Sequence, residues 1–256
     1  MILENSGIIT DDNYYQDREY ITASMVKAAV DGSKKKYDYI MKQTEPTESM
    51  LAGSAFHSMM LEPDKFKSTY AFEPNMDKRT KAGKEYIAQW KKDNEHIPHH
   101  LPGKYEEMLI NMHESLSKSD AYNYLVKPDG EFEQIKLFEL EGVKCKSKID
   151  YYNPADNYVV DIKTCQKLDI DAILDAIKQY KYGIQAAFYL DGLKAHKFYF
   201  VFIEKKAPYD NLCVEFHTGL DGGRKAYKAG IKNIQTFNSL GKDNHLSYAF
   251  GKIIQI

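Results

Sequence analysis

The sequence predicts an α/β fold: a central mixed β-sheet flanked by helices, with an N-terminal helical elaboration. Two observations carry that expectation. The first is the order of segments, which runs helices, strands, a helix, strands and a final helix. The second is a hairpin in the second half of the chain. Residues 143–152 alternate polar and apolar side chains, and residues 158–162 are rich in β-branched and aromatic ones. Between them, Asn153-Pro154-Ala155-Asp156-Asn157 is dense in turn formers. Such a hairpin sets Asp150 facing Asp161. Side chains alternate along a strand, so Asp161 and Lys163 share one face while Ile162 turns into the core.

Taken in order, residues 1–20 lack a period and read as an N-terminal arm, followed by a single domain over residues 21–256. A helix opens at Ile21-Thr22-Ala23-Ser24, with Thr22 or Ser24 as N-cap, and runs to about Met41. A proline-containing loop over 43–47 leads to a helix over 49–61. Its stripe of small residues lets it lie close against a neighbour, and His57 projects from it. Residues 62–82 read as loop and turn. Helices follow at 84–94, 105–117 and 120–126, with Pro98 and Pro102 in the interruption between the first two. After the Pro128-Asp129-Gly130 turn come a strand over 131–140 and the hairpin. Residues 169–193 are helical, kinked or divided at Gly183, with Gln185 and Tyr189 four apart on one face. An aromatic-rich strand over 197–204 pairs with one over 212–217, and Asp221 caps a last helix to about Leu240. The tail ends in Ile253-Ile254-Gln255-Ile256, apolar enough to dock on its own core or on a neighbouring subunit.

Composition narrows the function classes. Lys and Arg (35) nearly balance Asp and Glu (37), leaving a formal charge of −2, so a nucleic-acid surface would have to be local, as in a lined channel. Cys145, Cys165 and Cys213 are dispersed and form no C-x-x-C pair. That argues against a zinc ribbon, a disulfide framework and a four-cysteine iron–sulfur cluster, and it suits a reducing cytoplasm. The longest fully apolar run, 198–203, is too short to span a bilayer, and the acidic, polar opening is unlike a signal peptide. A cytoplasmic protein without membrane contact is expected.

A D-x-K triplet on its own is more often a solvated charged face than a metal site. Here it stands within an ordered set. The set is Gly53-Ser54-Ala55-Phe56-His57, Asp77-Lys78-Arg79-Thr80-Lys81-Ala82-Gly83-Lys84, Lys148-Ile149-Asp150, Asp161-Ile162-Lys163-Thr164, and Tyr180-Lys181-Tyr182-Gly183-Ile184-Gln185-Ala186-Ala187-Phe188-Tyr189-Leu190-Asp191-Gly192. Over roughly residues 20–240 this resembles the RecE-type exonuclease VIII nuclease domain of the PD-(D/E)xK superfamily, which also holds the RecB nuclease and lambda exonuclease. The chain lacks the long non-nuclease N-terminal region of the full-length relative and looks like the isolated catalytic module, as phage or prophage proteins present it.

The resemblance implies a role for each matched residue. His57, Asp150 and Asp161 match metal-binding positions, with the backbone carbonyl of Ile162 as a further ligand. Lys163 matches the catalytic lysine, and Glu133 an acidic residue that helps the metal site. Gln185 and Tyr189 match a Q-x-x-x-Y pair beside the DNA, and Arg79 falls in a loop that resembles one near the DNA end. The implied activity is exonucleolysis of linear duplex DNA, 5′ to 3′, with Mg²⁺, or Mn²⁺ in its place. The implied assembly is a ring-like tetramer, and the implied partner a single-strand annealing protein that loads onto the exposed 3′ strand.

The chemistry asks for the same residue types. Hydrolysis of a phosphodiester needs an activated water and relief of extra negative charge, both of which metal ions supply. Hard cations take carboxylate oxygens. Lys163 can orient or deprotonate the water and offset charge at the phosphate, and Gln185 and Tyr189 can donate to a phosphate without reading bases. Two rivals stay open at this point: a structure-specific or restriction-type endonuclease on the same core, and a DNA-binding module that has lost catalysis.

Overall fold

A computed structural model describes residues 1–5, 8–11, 13–42 and 45–240, so the apolar end of the tail lies outside the described residues. The elements of the first half are β1 (Ile2–Leu3), α1 (Ala23–Ala29), α2 (Lys34–Met41), α3 (Glu48–Leu61), α4 (Pro63–Thr69), β2 (Tyr70–Glu73), α5 (Lys81–Asp93), β3 (His99–Pro102), α6 (Lys104–Ser117) and α7 (Asp120–Leu125). Those of the second are β4 (Glu131–Leu140), β5 (Val143–Asn153), β6 (Tyr158–Cys165), α8 (Ile170–Gln179), α9 (Tyr182–Leu193), β7 (Lys197–Glu204), β8 (Asn211–Glu215) and α10 (Leu220–Ser239).

Six strands form one sheet in the order β1-β4-β5-β6-β7-β8. Only β6 and β7 run parallel; the other neighbours are antiparallel. A parallel pair needs a crossover, which α8 and α9 supply. This is the mixed, helix-flanked sheet that the sequence predicts. Alternation along the central strands feeds two cores. Val159, Phe200 and Phe202 face α1, α9 and α10, whereas Val160, Ile162, Val201 and Ile203 face α3, α6 and α7. Each fully buried side chain of this kind contributes about 1.5–3 kcal/mol. The sheet is thereby locked between two helical layers, and its central strands are a rigid platform.

Several local features differ from expectation. The helix expected from 22 to 41 is two, because Gly32 takes a left-handed φ of +74 and Ser33 starts α2 by accepting from the Lys36 N–H. Residues 62–82, expected as loop and turn, contain α4 and β2. Pro63 stands in the first turn of α4, where its missing N–H costs nothing. β2 pairs in parallel with β3, a partner too remote in sequence for local signals to show. The break in 169–193 falls at Lys181 (φ 53) rather than at Gly183. Gly183 lies inside α9, where α10 crosses so closely that a Cβ on Gly223 would come within 2.1 Å of the Gly183 carbonyl oxygen. Asp221 sits in the first turn of α10, and Gly219 is its N-cap.

The described part of the N-terminal arm packs on the sheet. Ile9, Tyr14 and Tyr20 are buried with Leu137, and the wholly buried Lys146 donates to Asp17 Oδ1 at 2.8 Å. No helix among the described residues is long and apolar enough to cross a membrane.

Candidate metal-binding active site

Three neighbouring strands set their carboxylates in a row. Gln134 pairs with Ile149 and Phe132 with Tyr151, which leaves Glu133 opposite Asp150. Tyr151 pairs with Val160, so the next step along sets Asp150 opposite Asp161. The regular ladder is interrupted here. Glu133 has φ 49, an uncommon conformation for a non-glycine residue in a strand. Asp150 Oδ2 accepts the Ile162 N–H at 2.7 Å, so a side chain takes up a strand's backbone donor. β5 changes face at this point, since Ile149 belongs to one core and Tyr151 to the other. The sheet opens where its acidic side chains gather.

α3 carries His57 to this opening, with Nδ1 3.3 Å from Asp150 Oδ2 and 3.9 Å from Glu133 Oε1. One ligand atom from each of His57, Glu133 and Asp150 lies within 4.8 Å of the others. An imidazole and two carboxylates at that spacing fit a divalent cation. Glu133 Oε1 is buried without a hydrogen-bond partner, as expected of an oxygen left for a ligand. The other oxygen, Oε2, is held by Lys148 Nζ at 3.1 Å, and Asp11 steadies that ammonium at 2.9 Å.

Asp161 is beside this trio rather than within it. It is 2% exposed; Oδ2 is held by its ion pair with Lys163 Nζ, and Oδ1 accepts from Gln185 Nε2. Lys27 of α1 donates to Gln185 Oε1 at 2.8 Å, which fixes the way the amide faces. A chain Lys27–Gln185–Asp161–Lys163 therefore runs along the side of the site.

The charges are strongly coupled. Burial disfavours charge on His57, but the Asp150 carboxylate and its hydrogen bond, with help from Glu133, outweigh it and hold the imidazolium up to about 9. Burial and the Asp150 charge push Glu133 up to about 7, against His57 and Lys148. Burial also raises Asp150, yet His57 and Lys163 bring its carboxyl below the usual range. Asp161 is raised by burial, which the Lys163 ammonium only partly offsets. Burial works against the Lys163 charge, but Asp161 and Asp150 keep it protonated. Lys27 is lowered to about 7, by burial first and then by the neighbouring Lys163 charge.

An open cleft of about 530 Å³ gives access to this site, with His57, Ile162, Lys163, Gln185, Lys27 and Lys205 in its lining. Gly53 and Ser54 of α3 also line it. A Cβ on Gly53 would meet nothing within 4 Å, so that small residue keeps the cleft open, while Ala52 and Ala55 are the small residues by which α3 packs closely on the second core.

The structure thus brings His57, Glu133 and Asp150 together, with Asp161, Lys163 and Gln185 alongside. Ile162 lines the cleft through its backbone while its side chain is buried in the second core. Tyr189 is placed differently from its partner Gln185: it is buried in the first core, and its hydroxyl donates to the Lys148 carbonyl at 3.4 Å. Arg79 is exposed in the turn before α5 and clasps Asp77 at 3.0 and 3.1 Å, with no hydrogen bond or ion pair to the trio. Sequence reasoning missed Lys27, because its partner Gln185 is 158 positions away. It also missed the roles of Lys148 and Asp11, although Lys148 stands two residues before Asp150.

Residues 22–243 match the family described as PDDEXK-like domain of unknown function (DUF3799). Among solved structures the chain is similar to a candidate exonuclease from Eubacterium rectale, at 18% identity and a TM-score of 0.63, over 97% of this chain and 95% of that one. It is also similar to a phage-related exonuclease from Haemophilus somnus 129PT, at 15% identity and a TM-score of 0.36, over 66% and 91% of the two chains. The first of these likenesses establishes a shared fold. No curated protein matches the chain in sequence.

Proposed function

Because the chain belongs to the PDDEXK-like domain family, we propose that it is a metal-dependent deoxyribonuclease that degrades linear duplex DNA from its ends. The observation that carries this reading is the buried, unpartnered Glu133 Oε1 close to His57 and Asp150, where His57 also lines a cleft that carries lysines. His57, Glu133 and Asp150 would hold a divalent cation, Mg²⁺ or Mn²⁺, with Asp161 and the Ile162 backbone at its edge. When bound, such an ion supplies an activated water and offsets charge on the phosphate.

The chain's own residues divide the remaining work. Lys163, kept protonated by Asp161 and Asp150, offers a cation to the phosphate rather than a base to the water. Asp161 and Gln185 hold that ammonium in place, and Lys27 holds Gln185. Lys163 and Lys205 give the cleft local positive charge on a chain whose net charge is −2, so attraction for DNA is concentrated where the chemistry is. Tyr189 supports the sheet face behind Lys148.

Digestion runs 5′ to 3′ in this reading and leaves 3′ overhangs for an annealing protein, with a ring-shaped tetramer enclosing the duplex. Arg79 would serve the terminal 5′-phosphate by exchanging Asp77 for that dianion. Loss of discrimination between 5′-phosphorylated and 5′-hydroxyl ends in Arg79→Ala supports this assignment, and equal activity loss on both ends removes it. A monomer by light scattering, with processive digestion retained, would remove the ring. The function itself is tested by incubating the protein and Mg²⁺ with linear and covalently closed circular duplex. Loss of the linear form alone is expected; cutting of closed circles would make it an endonuclease, and no cleavage of either would leave a binding module.

A further inference from the structure

A column of aromatic rings rises from the sheet beside the catalytic groups and ends in the open. Phe200 of β7 is fully buried at its base. The Tyr182 ring lies over it with centroids 5.5 Å apart and planes at 34°, and Tyr180 stacks on Tyr182 at 5.6 Å and 28°. Tyr180 is 53% exposed, and both tyrosines line the cleft that holds His57 and Lys163. The turn between them is pinned: Lys181, left-handed at φ 53, donates to the Lys27 carbonyl at 3.1 Å and pairs with Asp31 at 3.1 Å. The column is therefore set before anything binds, which spares a ligand the cost of ordering it.

Two lysines flank its middle ring. Lys163 Nζ is 5.0 Å and Lys27 Nζ 5.3 Å from the Tyr182 centroid. A phosphate drawn to Lys163 would bring the base of its own nucleotide, one sugar away, towards the uncovered end of the column. We propose that Tyr180 is the stacking seat for the nucleobase flanking the bond to be cut, and that the terminal base pair opens to deliver it. The inference rests on the nuclease reading above. Stacking on an aromatic face tolerates every base, so such a seat positions a nucleotide without imposing a sequence preference.

The test compares duplexes whose end nucleotide carries a normal base with duplexes carrying an abasic analogue there. Tyr180→Ala should lower kcat/KM on normal ends about tenfold and leave abasic ends nearly unchanged, since the base it would have held is already missing. Tyr180→Trp should retain wild-type activity on normal ends. Equal loss on both ends, or no loss on either, overturns the proposal while the nuclease reading stands. Wild-type protein that cleaves no DNA overturns both. Thermal melting confirms that each variant is folded.

Discussion

Replacing Glu133 with Gln should stabilise the metal-free protein while disabling it. Burial and the Asp150 charge raise the Glu133 carboxyl from 4.5 to about 7. A folded-state value above the unfolded one means stability that is fully present below about 4.5 and lost as pH rises through about 7. At pH 8 the ionised group therefore costs the fold about 3 kcal/mol. The amide carries no charge and has the same shape. The value of about 7 already includes the attraction of His57 and Lys148 for the carboxylate, and Lys148 keeps Asp11 at 2.9 Å when that partner goes. The gain of about 3 kcal/mol corresponds to a rise in Tm of about 6–12 °C for a chain of this size. Thermal melting at pH 8 in EDTA and again with Mn²⁺ reads both halves of the prediction. The variant should melt higher than wild type without metal, gain less from Mn²⁺ and lose cleavage. A variant that melts lower without metal refutes the charge reasoning, and an undiminished Mn²⁺ increment removes Glu133 from the metal site.

Other perturbations read the remaining groups. Because His57 holds its proton up to about 9 and must release it to coordinate a metal, the Mn²⁺ increment in Tm should grow between about pH 6 and pH 8.5; an increment independent of pH contradicts this. Lys163→Met should lower cleavage about 10²–10³-fold while DNA binding persists, and should cost about 3 kcal/mol by leaving Asp161 buried without its cation. Asp161→Asn in that background should recover stability without recovering activity, as melting and rate measurements together would show. Lys27→Met should slow cleavage about 10- to 100-fold with little change in Tm, as expected of a residue that acts by holding Gln185. An unaltered rate would show that Gln185 needs no such support.

The parts of the fold that local pattern encodes were legible. Alternation in residues 143–152, turn formers at 153–157 and the aromatic run at 198–203 mark β5, β6 and β7, and the hairpin fixes Asp150 opposite Asp161. What escaped depends on distant partners or single backbone angles. β2 becomes a strand only through pairing with β3, Lys181 breaks a helix by one left-handed residue, and Gly183 is kept small by α10 rather than by a kink. At the site, residue types pointed to a metal, but their division did not follow from spacing. Glu133 joins His57 and Asp150 because a left-handed backbone and the Asp11–Lys148 pair hold it there, while Asp161 turns to Lys163 and Gln185. Tyr189 sits four residues from Gln185, yet a helix only partly exposed to the cleft sends one side chain to the site and the other into the core.

The most direct measurement is anomalous diffraction from crystals of the protein soaked in Mn²⁺, collected where manganese scatters anomalously. The account predicts a peak bounded by His57, the Glu133 Oε1 oxygen and Asp150, with Asp161 on its Lys163 side. A peak elsewhere, or none in crystals of a preparation that digests linear DNA, would contradict it.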